Sequence, residues 1–185
     1  MNLSLDGLMS GPGGQLDWHN ESWDEGMSEQ WLVQLECSDA ILLGRLTYEA
    51  LASYWSINPL KQNFPRQDLA IADRMNYHRK IVFSGSSPTF MWNNTVFIHG
   101  NLTDEIIRLK KQKGKDILLM GSKTLVSSII QAGLADEYRL WIHPVILGNG
   151  NPLFRNLTTK LNFTLSDSRL FDSGVLFLNY RSITR

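Results

Sequence analysis

The chain carries a single cysteine, Cys37, in 185 residues. That scarcity excludes an internal disulfide framework and any metal site built from several thiolates, and it fits a reducing compartment. A surplus of charge of one sign is lacking too. Lys+Arg and Asp+Glu each number 18, so no net field draws in a polyanion or an anionic bilayer, and neither a nucleic acid nor a membrane is expected as partner. The four histidines, His19, His78, His99 and His143, show no HExxH or similar ligand spacing, so no catalytic metal is expected. No apolar run is long enough to span a bilayer, and the start lacks the basic and apolar regions of a signal peptide. No internal repeat or low-complexity tract interrupts the pattern. These absences leave a cytoplasmic globular protein. With 43% hydrophobic residues the chain can bury a sizeable core, and its length predicts one domain over residues 1–185.

What is present centres on residues 115–154, KDILLMGSKTLVSSIIQAGLADEYRLWIHPVILGNGNPLF. Residues 116–120 form an apolar run of strand length, and Gly121-Ser122 makes a tight turn directly after it. Leu125, Val126, Ile129 and Ile130 then recur at helical spacing, with Gly133 as a stop. A helix opening on Gly121, Ser122, Lys123 and Thr124 leaves its first N–H groups and the positive end of its dipole open to a phosphate. The plainer reading is a serine cap on an ordinary β-α unit.

Taken in order, residues 1–5 look like the tail of a strand. Asp6-Gly7 reads as a turn whose aspartate bonds nearby backbone N–H groups, and residues 10–14 form a glycine-rich loop able to close over a ligand. Trp18, Trp23, Asp24 and Glu25 concentrate apolar surface and carboxylates before a first helix at residues 28–37, which turns Cys37 toward the core. A buried strand at 40–43 runs into Gly44-Arg45-Leu46-Thr47, a second glycine turn opening a helix. There Arg45 can fork two donors onto a phosphate and Thr47 offers a hydroxyl; a surface salt bridge is the alternative use for Arg45. Residues 58–67 read as a loop and 67–76 as a helix. A strand at 80–83 ends in Ser84, Gly85, Ser86, Ser87 and Pro88, a turn that lines an anion or simply reverses the chain. A strand at 95–98, a helix from 103, a long strand at 138–147 and a hairpin of 163–171 with 175–180 complete the order. The alternation predicts an α/β fold, with a mostly parallel central sheet flanked by helices and a C-terminal antiparallel hairpin.

Gly148-Asn149-Gly150 lacks the final glycine and the helix of a dinucleotide fingerprint, and the GSKT segment lacks the upstream glycine of a P-loop. Three phosphate-compatible turns remain, at Gly44, Ser84 and Gly121, each ending a strand. In open α/β sheets ligands sit at that edge, and such a trio suits a dinucleotide.

The segments SLDG (residues 4–7), LLGRLTYE (42–49), the S-G-S turn at Ser84, the long run from Leu118 to Phe154 and the closing SGV at Ser173 together resemble the dihydrofolate reductase superfamily. In detail they are similar to its branch represented by the reductase domain of bacterial riboflavin biosynthesis. The resemblance covers nearly the whole chain and implies a dihydrofolate-reductase-like fold, an NADPH cofactor and hydride transfer to a small heterocycle of pyrimidine or pterin type, ribosylated or not. It also implies a homodimer. Arg45 with Ser84, Gly85 and Ser86 would hold the 2′-phosphate; Gly44, Thr47, Gly121, Ser122, Lys123, Thr124 and Leu125 would hold the pyrophosphate. The nicotinamide would lie beside residues 4–10, with Asp6, Trp18 and Asp24 on the catalytic, substrate side. The family's first strand usually starts earlier than here and the pterin-binding carboxylate has no clear counterpart; a stand-alone reductase, without the deaminase domain often fused to that branch, is the expectation. A non-catalytic nucleotide-binding or scaffold protein on the same fold, or a flavin mononucleotide binder, are the alternative readings.

Overall fold

The protein is described from a computed structural model covering residues 1–56, 66–85 and 91–183. In chain order its elements are β1 (Asn2–Leu3), β2 (Leu8–Ser10), a 3-10 turn (Asp17–Ser22), α1 (Glu25–Glu36), β3 (Ser38–Gly44), α2 (Arg45–Trp55), α3 (Arg66–Tyr77), β4 (Arg79–Phe83), β5 (Thr95–Ile98), α4 (Leu102–Lys110), β6 (Asp116–Gly121), α5 (Lys123–Gln131), β7 (Glu137–Ile142), β8 (Asn151–Pro152), β9 (Phe163–Leu170) and β10 (Leu176–Ser182). This is the α/β class expected. Contacts divide the chain into two compact units, Met27–Val126 and Met1–Gly26 with Ser127–Arg185.

The first of these units is built on an all-parallel sheet in the order β5-β4-β3-β6. Residues 40–44 of β3 are buried without a break, the pattern of a parallel strand covered on both faces. Ile41 and Leu43 face a core of Leu35 from α1, Tyr48 and Ala52 from α2, Ile71 and Met75 from α3, Val82 from β4, and Trp92. Cutting a fully buried leucine such as Leu43 back to alanine costs about 2–5 kcal/mol. Polar groups inside this unit are satisfied. Lys80 is wholly buried, and its Nζ donates to Met75 O at 2.9 Å and Asn76 O at 3.0 Å. Those carbonyls end α3, so the ammonium caps the negative end of the helix dipole, while Trp92 presents its ring 4.4 Å away.

The other unit carries the sheet β1-β7-β10-β9, in which β1 runs parallel to β7 and the remaining pairs are antiparallel. The expected hairpin is β9–β10, reversed at Gly174 with φ +81°. A short β2–β8 ladder stands apart from it in hydrogen bonding. Trp141 on β7 stacks on Phe171 at 5.4 Å and meets Phe177 at 4.9 Å, which fills that sheet's core. Gly133, with φ +64°, ends α5 as expected, and Leu134 N–H bonds back to Ile129 O at 3.1 Å.

Several boundaries differ from expectation. Cys37 is exposed, not a core thiol. It lies one residue past α1, with its N–H on Val33 O at 3.0 Å, so the helical spacing that would turn it inward has already ended. The helix itself starts at Glu25 rather than 28. β7 stops at Ile142 instead of continuing to 147: Pro144 has no N–H to extend a ladder, and Val145 N–H turns back onto His143 O at 2.8 Å. The loop expected around residues 58–67 lies largely outside the described residues.

Candidate functional site

Because β5, β4, β3 and β6 are parallel, their carboxyl ends share one edge. Phe83 pairs with Ile98 and with Gly44, and Leu43 pairs with Gly121. The three turns singled out in the sequence, at Gly44, Ser84 and Gly121, therefore stand side by side, each leaving its strand at the same end. Ser84 and Gly85 are described; Ser86 lies outside the described residues.

The two glycine turns lock together. A Cβ on Gly44 would fall 2.5 Å from Ser122 Oγ and 3.1 Å from Ser122 N, and a Cβ on Gly121 would fall 2.9 Å from Thr47 Oγ1. Gly121 also has φ +133°, in the region that disfavours a side chain, and the Gly121–Ser122 peptide is cis. Each turn thus places its small residue against the polar side chain of the other. Gly44 caps α2 without a side-chain bond, so the opening N–H groups of that helix receive no acceptor from the cap. Ser122 O accepts the first α5 bond, from Val126 N–H at 2.9 Å. Lys123 and Thr124 are exposed on the first turn of α5, whereas Leu125 is buried and anchors it.

Arg45 is engaged. Its Nη1 reaches both carboxylate oxygens of Glu49, at 3.0 and 3.1 Å, an i,i+4 pair on α2. That is the salt bridge weighed against a phosphate role, and such a half-exposed pair is readily exchanged. His99, which the sequence offers no metal-ligand spacing, lies just beyond β5, and its Nδ1 bonds Ser84 O. The signal that joins the two is the β5–β4 neighbourhood, which residue spacing does not carry.

The three residues expected on the substrate side all lie in the other unit, each tied to a different partner. Asp6 takes the Ser4 hydroxyl at 2.6 Å on Oδ1, Leu147 N–H at 3.2 Å on Oδ1 and Gly148 N–H at 2.9 Å on Oδ2. The Ser4 bond, followed by those two backbone donors, holds its carboxyl below the usual range. It is therefore an ionised fastener of the β1–β2 turn to the loop after β7, in a state that accepts protons and does not deliver them. Asp24 accepts from Ser173 N–H at 3.2 Å, in the β9–β10 turn. Trp18 packs edge-on against His19 at 5.4 Å and His143 at 5.3 Å, and its indole N–H is buried without a partner.

His143, one of the four histidines without metal-ligand spacing in the sequence, takes a structural place that spacing does not reveal. It is fully buried, with Ser22 Oγ 2.7 Å from Nδ1 and Asn2 Oδ1 3.2 Å from Nε2. With an acceptor at Nε2 the proton sits there, and Nδ1 accepts from Ser22. Burial first, then the nearby His19, lowers its pKa to about 4. A shallow cavity of about 110 Å³ lined by Tyr138, Leu140, Phe154, Phe163 and Tyr180 is wholly apolar and holds none of these groups.

The parallel sheet and its edge of small turns define an α/β protein of the dihydrofolate-reductase-like kind, and the chain belongs to the RibD C-terminal domain family, whose model matches residues 1–177. The uncharacterised protein YyaP of Bacillus subtilis is 35% identical over 178 residues, which span 96% of this chain and 90% of that one. A Shewanella structure whose proposed role is riboflavin biosynthesis superposes with a TM-score of 0.74 at 22% identity, covering 100% of this chain and 97% of the other. Dihydrofolate reductase from Enterococcus faecalis, solved as a complex with NADP(H), gives 0.62 at 12% identity over 99% and 94%. At such identities these two structures speak for the fold.

Proposed function

We propose that the chain is an NADPH-dependent reductase of a small heterocycle, pyrimidine or pterin in type, ribosylated or not. The observation that carries it is the alignment of Gly44, Ser84 and Gly121 along one edge of a parallel sheet, two of them opening helices. Carboxyl ends of parallel strands are where open α/β folds take nucleotides, and the residues there suit the phosphates. First-turn N–H groups of α2 with the Thr47 hydroxyl, and the first turn of α5 with Ser122, Lys123 and Thr124, supply donors. Leu125 contributes its backbone and keeps the turn rigid through its buried side chain. Arg45, exchanging Glu49 for a phosphate, would join Ser84, Gly85 and Ser86 at the 2′-phosphate.

Bound NADPH supplies a hydride; this chain's residues orient, exclude water and hold protons. Asp6, Trp18 and Asp24 belong to the substrate side. Asp6 would act by fixing the turn after β1, and Trp18 by offering its unpartnered N–H to a substrate acceptor. The same reading takes the chain as one functional domain, cytoplasmic and homodimeric, with neither nucleic acid nor membrane as partner; among the described residues no helix is long and apolar enough to cross a membrane.

Titration with NADPH and NADH, followed by nicotinamide oxidation across a panel of pterins and pyrimidines, tests the proposal. Tight NADPH binding with turnover on at least one heterocycle is the expected result. Binding without turnover across the panel would favour a non-catalytic nucleotide-binding protein, and no binding would remove the reading altogether.

A further inference from the structure

We propose that β9 is the seam of a homodimer: its open edge pairs antiparallel with β9 of a second copy about a two-fold axis at Ser168, joining two four-stranded sheets into one of eight. This rests on the homodimeric part of the reading above and gives it a surface and a register. β9 ends the order β1-β7-β10-β9, and among the described residues no strand pairs with its outer side. Residues 164–170 are exposed without a break, and the strand carries neither lysine nor proline, the residues that commonly blunt a free edge. Phe171 N–H donates to Val175 O at 3.0 Å. By the alternation of an antiparallel ladder, Phe171, Arg169 and Asp167 then turn their backbone groups toward β10, and Ser168 and Leu170 turn theirs outward.

A one-residue slip turns every side chain to the other face, and charge selects among the registers that keep the faces matched. Centred on Ser168, the seam sets Asp167 opposite Arg169 of the partner subunit, and the two-fold repeats the pair. Centred on Asp167 or on Arg169, it would set like charges opposite each other. Among the described residues no ion pair engages either side chain; the Arg169 guanidinium lies 4.9 Å from the Phe171 ring. The β-bulge extends the match. Asn179 pairs with Asp167 and Tyr180 with Leu165, which leaves Ser166 as the extra residue. Leu165 and Leu170 share a face, because their partners Tyr180 and Leu176 stand four positions apart on β10. Past the bulge, Leu170 comes beside Leu165 of the partner subunit. These side chains are 72% and 48% exposed in the single chain, and the seam lets them cover each other on both sides of the axis.

Sedimentation of wild type, Asp167→Arg, Arg169→Asp and the double exchange Asp167→Arg/Arg169→Asp tests the seam. Wild type is expected to be a dimer. Each single variant brings like charges together at both symmetric positions and should raise the dimer dissociation constant roughly tenfold or more. The double exchange restores opposite charges and should dimerise as wild type does. Mixing the two single variants should give a heterodimer, since the arginines of one chain then meet the aspartates of the other. Damage to the strand itself would not be repaired by mixing or by the second exchange, so recovery in those two arms separates the seam from misfolding. Equal dimerisation of all four proteins, or single variants that stay apart when mixed, overturns the seam and leaves a homodimer through another surface. A monomeric wild type overturns the homodimer as well.

Discussion

Thr47 stands where a side chain on Gly121 would have to go: a Cβ there would lie 2.9 Å from Thr47 Oγ1 and 3.3 Å from Cγ2. The glycine therefore serves the packing of one strand-to-helix turn on its neighbour, whatever ligand the turns hold. Gly121→Ala should destabilise the protein by about 1–3 kcal/mol, from overpacking together with the backbone angle. Adding Thr47→Ala removes both close atoms and should return part of that loss, since the φ of +133° remains. Urea unfolding of the four proteins in the cycle measures the coupling. Additive losses would mean the contact has no energetic weight. NADPH titration of folded Gly121→Val separates packing from binding: affinity lost beyond the stability effect supports a phosphate at this turn, and unchanged affinity ends that proposal.

The pair Arg45–Glu49 sets the cofactor preference if the 2′-phosphate is read at this edge. Arg45→Ala should weaken NADPH roughly tenfold and NADH little. Glu49→Gln should do the reverse, tightening NADPH a few-fold because the guanidinium no longer has to leave a carboxylate 3.0 Å away. Competition binding with both dinucleotides decides it. Equal shifts for NADPH and NADH in Arg45→Ala would assign the arginine to its helix alone.

His143 should make the fold sensitive to mild acid. Its pKa of about 4 lies below the 6.5 of an unburied histidine, so the unfolded chain binds the proton more readily than the folded one. Stability from this group is complete above pH 6.5 and declines as pH falls toward 4, by about 2–3 kcal/mol in all. The difference in unfolding free energy between wild type and His143→Gln, followed from pH 7 to pH 4, should shrink by that amount. A constant difference would show that the ring is not desolvated as its burial indicates.

Much of this architecture was legible in the chain because local signals agreed. The unbroken apolar run of β3, the glycine at its end and the helix that opens directly from that turn fall within a dozen residues and leave one reading. The glycine turn at 121 and the stop at Gly133 were equally local. What could not be read depended on partners distant in sequence. Asp6 looked like a turn residue and is one, but the donors that pin its carboxylate come from Leu147 and Gly148. His143 is separated from Ser22 by 121 positions and from Asn2 by 141, and no spacing rule connects them. Cys37 is the opposite case: helical spacing counted to residue 37 points it inward, but the backbone leaves the helix at Glu36.

Lys80 provides a final test, at the alkaline end. The side chain is wholly buried, and desolvation lowers its pKa to about 8 from 10.5. Below pH 8 both folded and unfolded chains hold the proton, and the folded state bears the full cost of a buried ammonium. Between pH 8 and 10.5 the folded state releases it first, so the unfolded state binds more protons and stability rises with pH, by about 2–3 kcal/mol from this group. The neutral amine can still donate to Met75 O and Asn76 O, so the cap on α3 survives the titration. Lys80→Met removes the titrating group and the cap together. It should be less stable than wild type where the lost hydrogen bonds outweigh the relieved burial. The gap between them should widen in favour of wild type as pH climbs from 8 to 10.5. Other lysines and tyrosines titrate in both proteins and cancel in the difference. Chemical unfolding of the two at matched pH values reads it directly, and a gap that stays flat across that interval would show that Lys80 keeps its ordinary affinity for the proton.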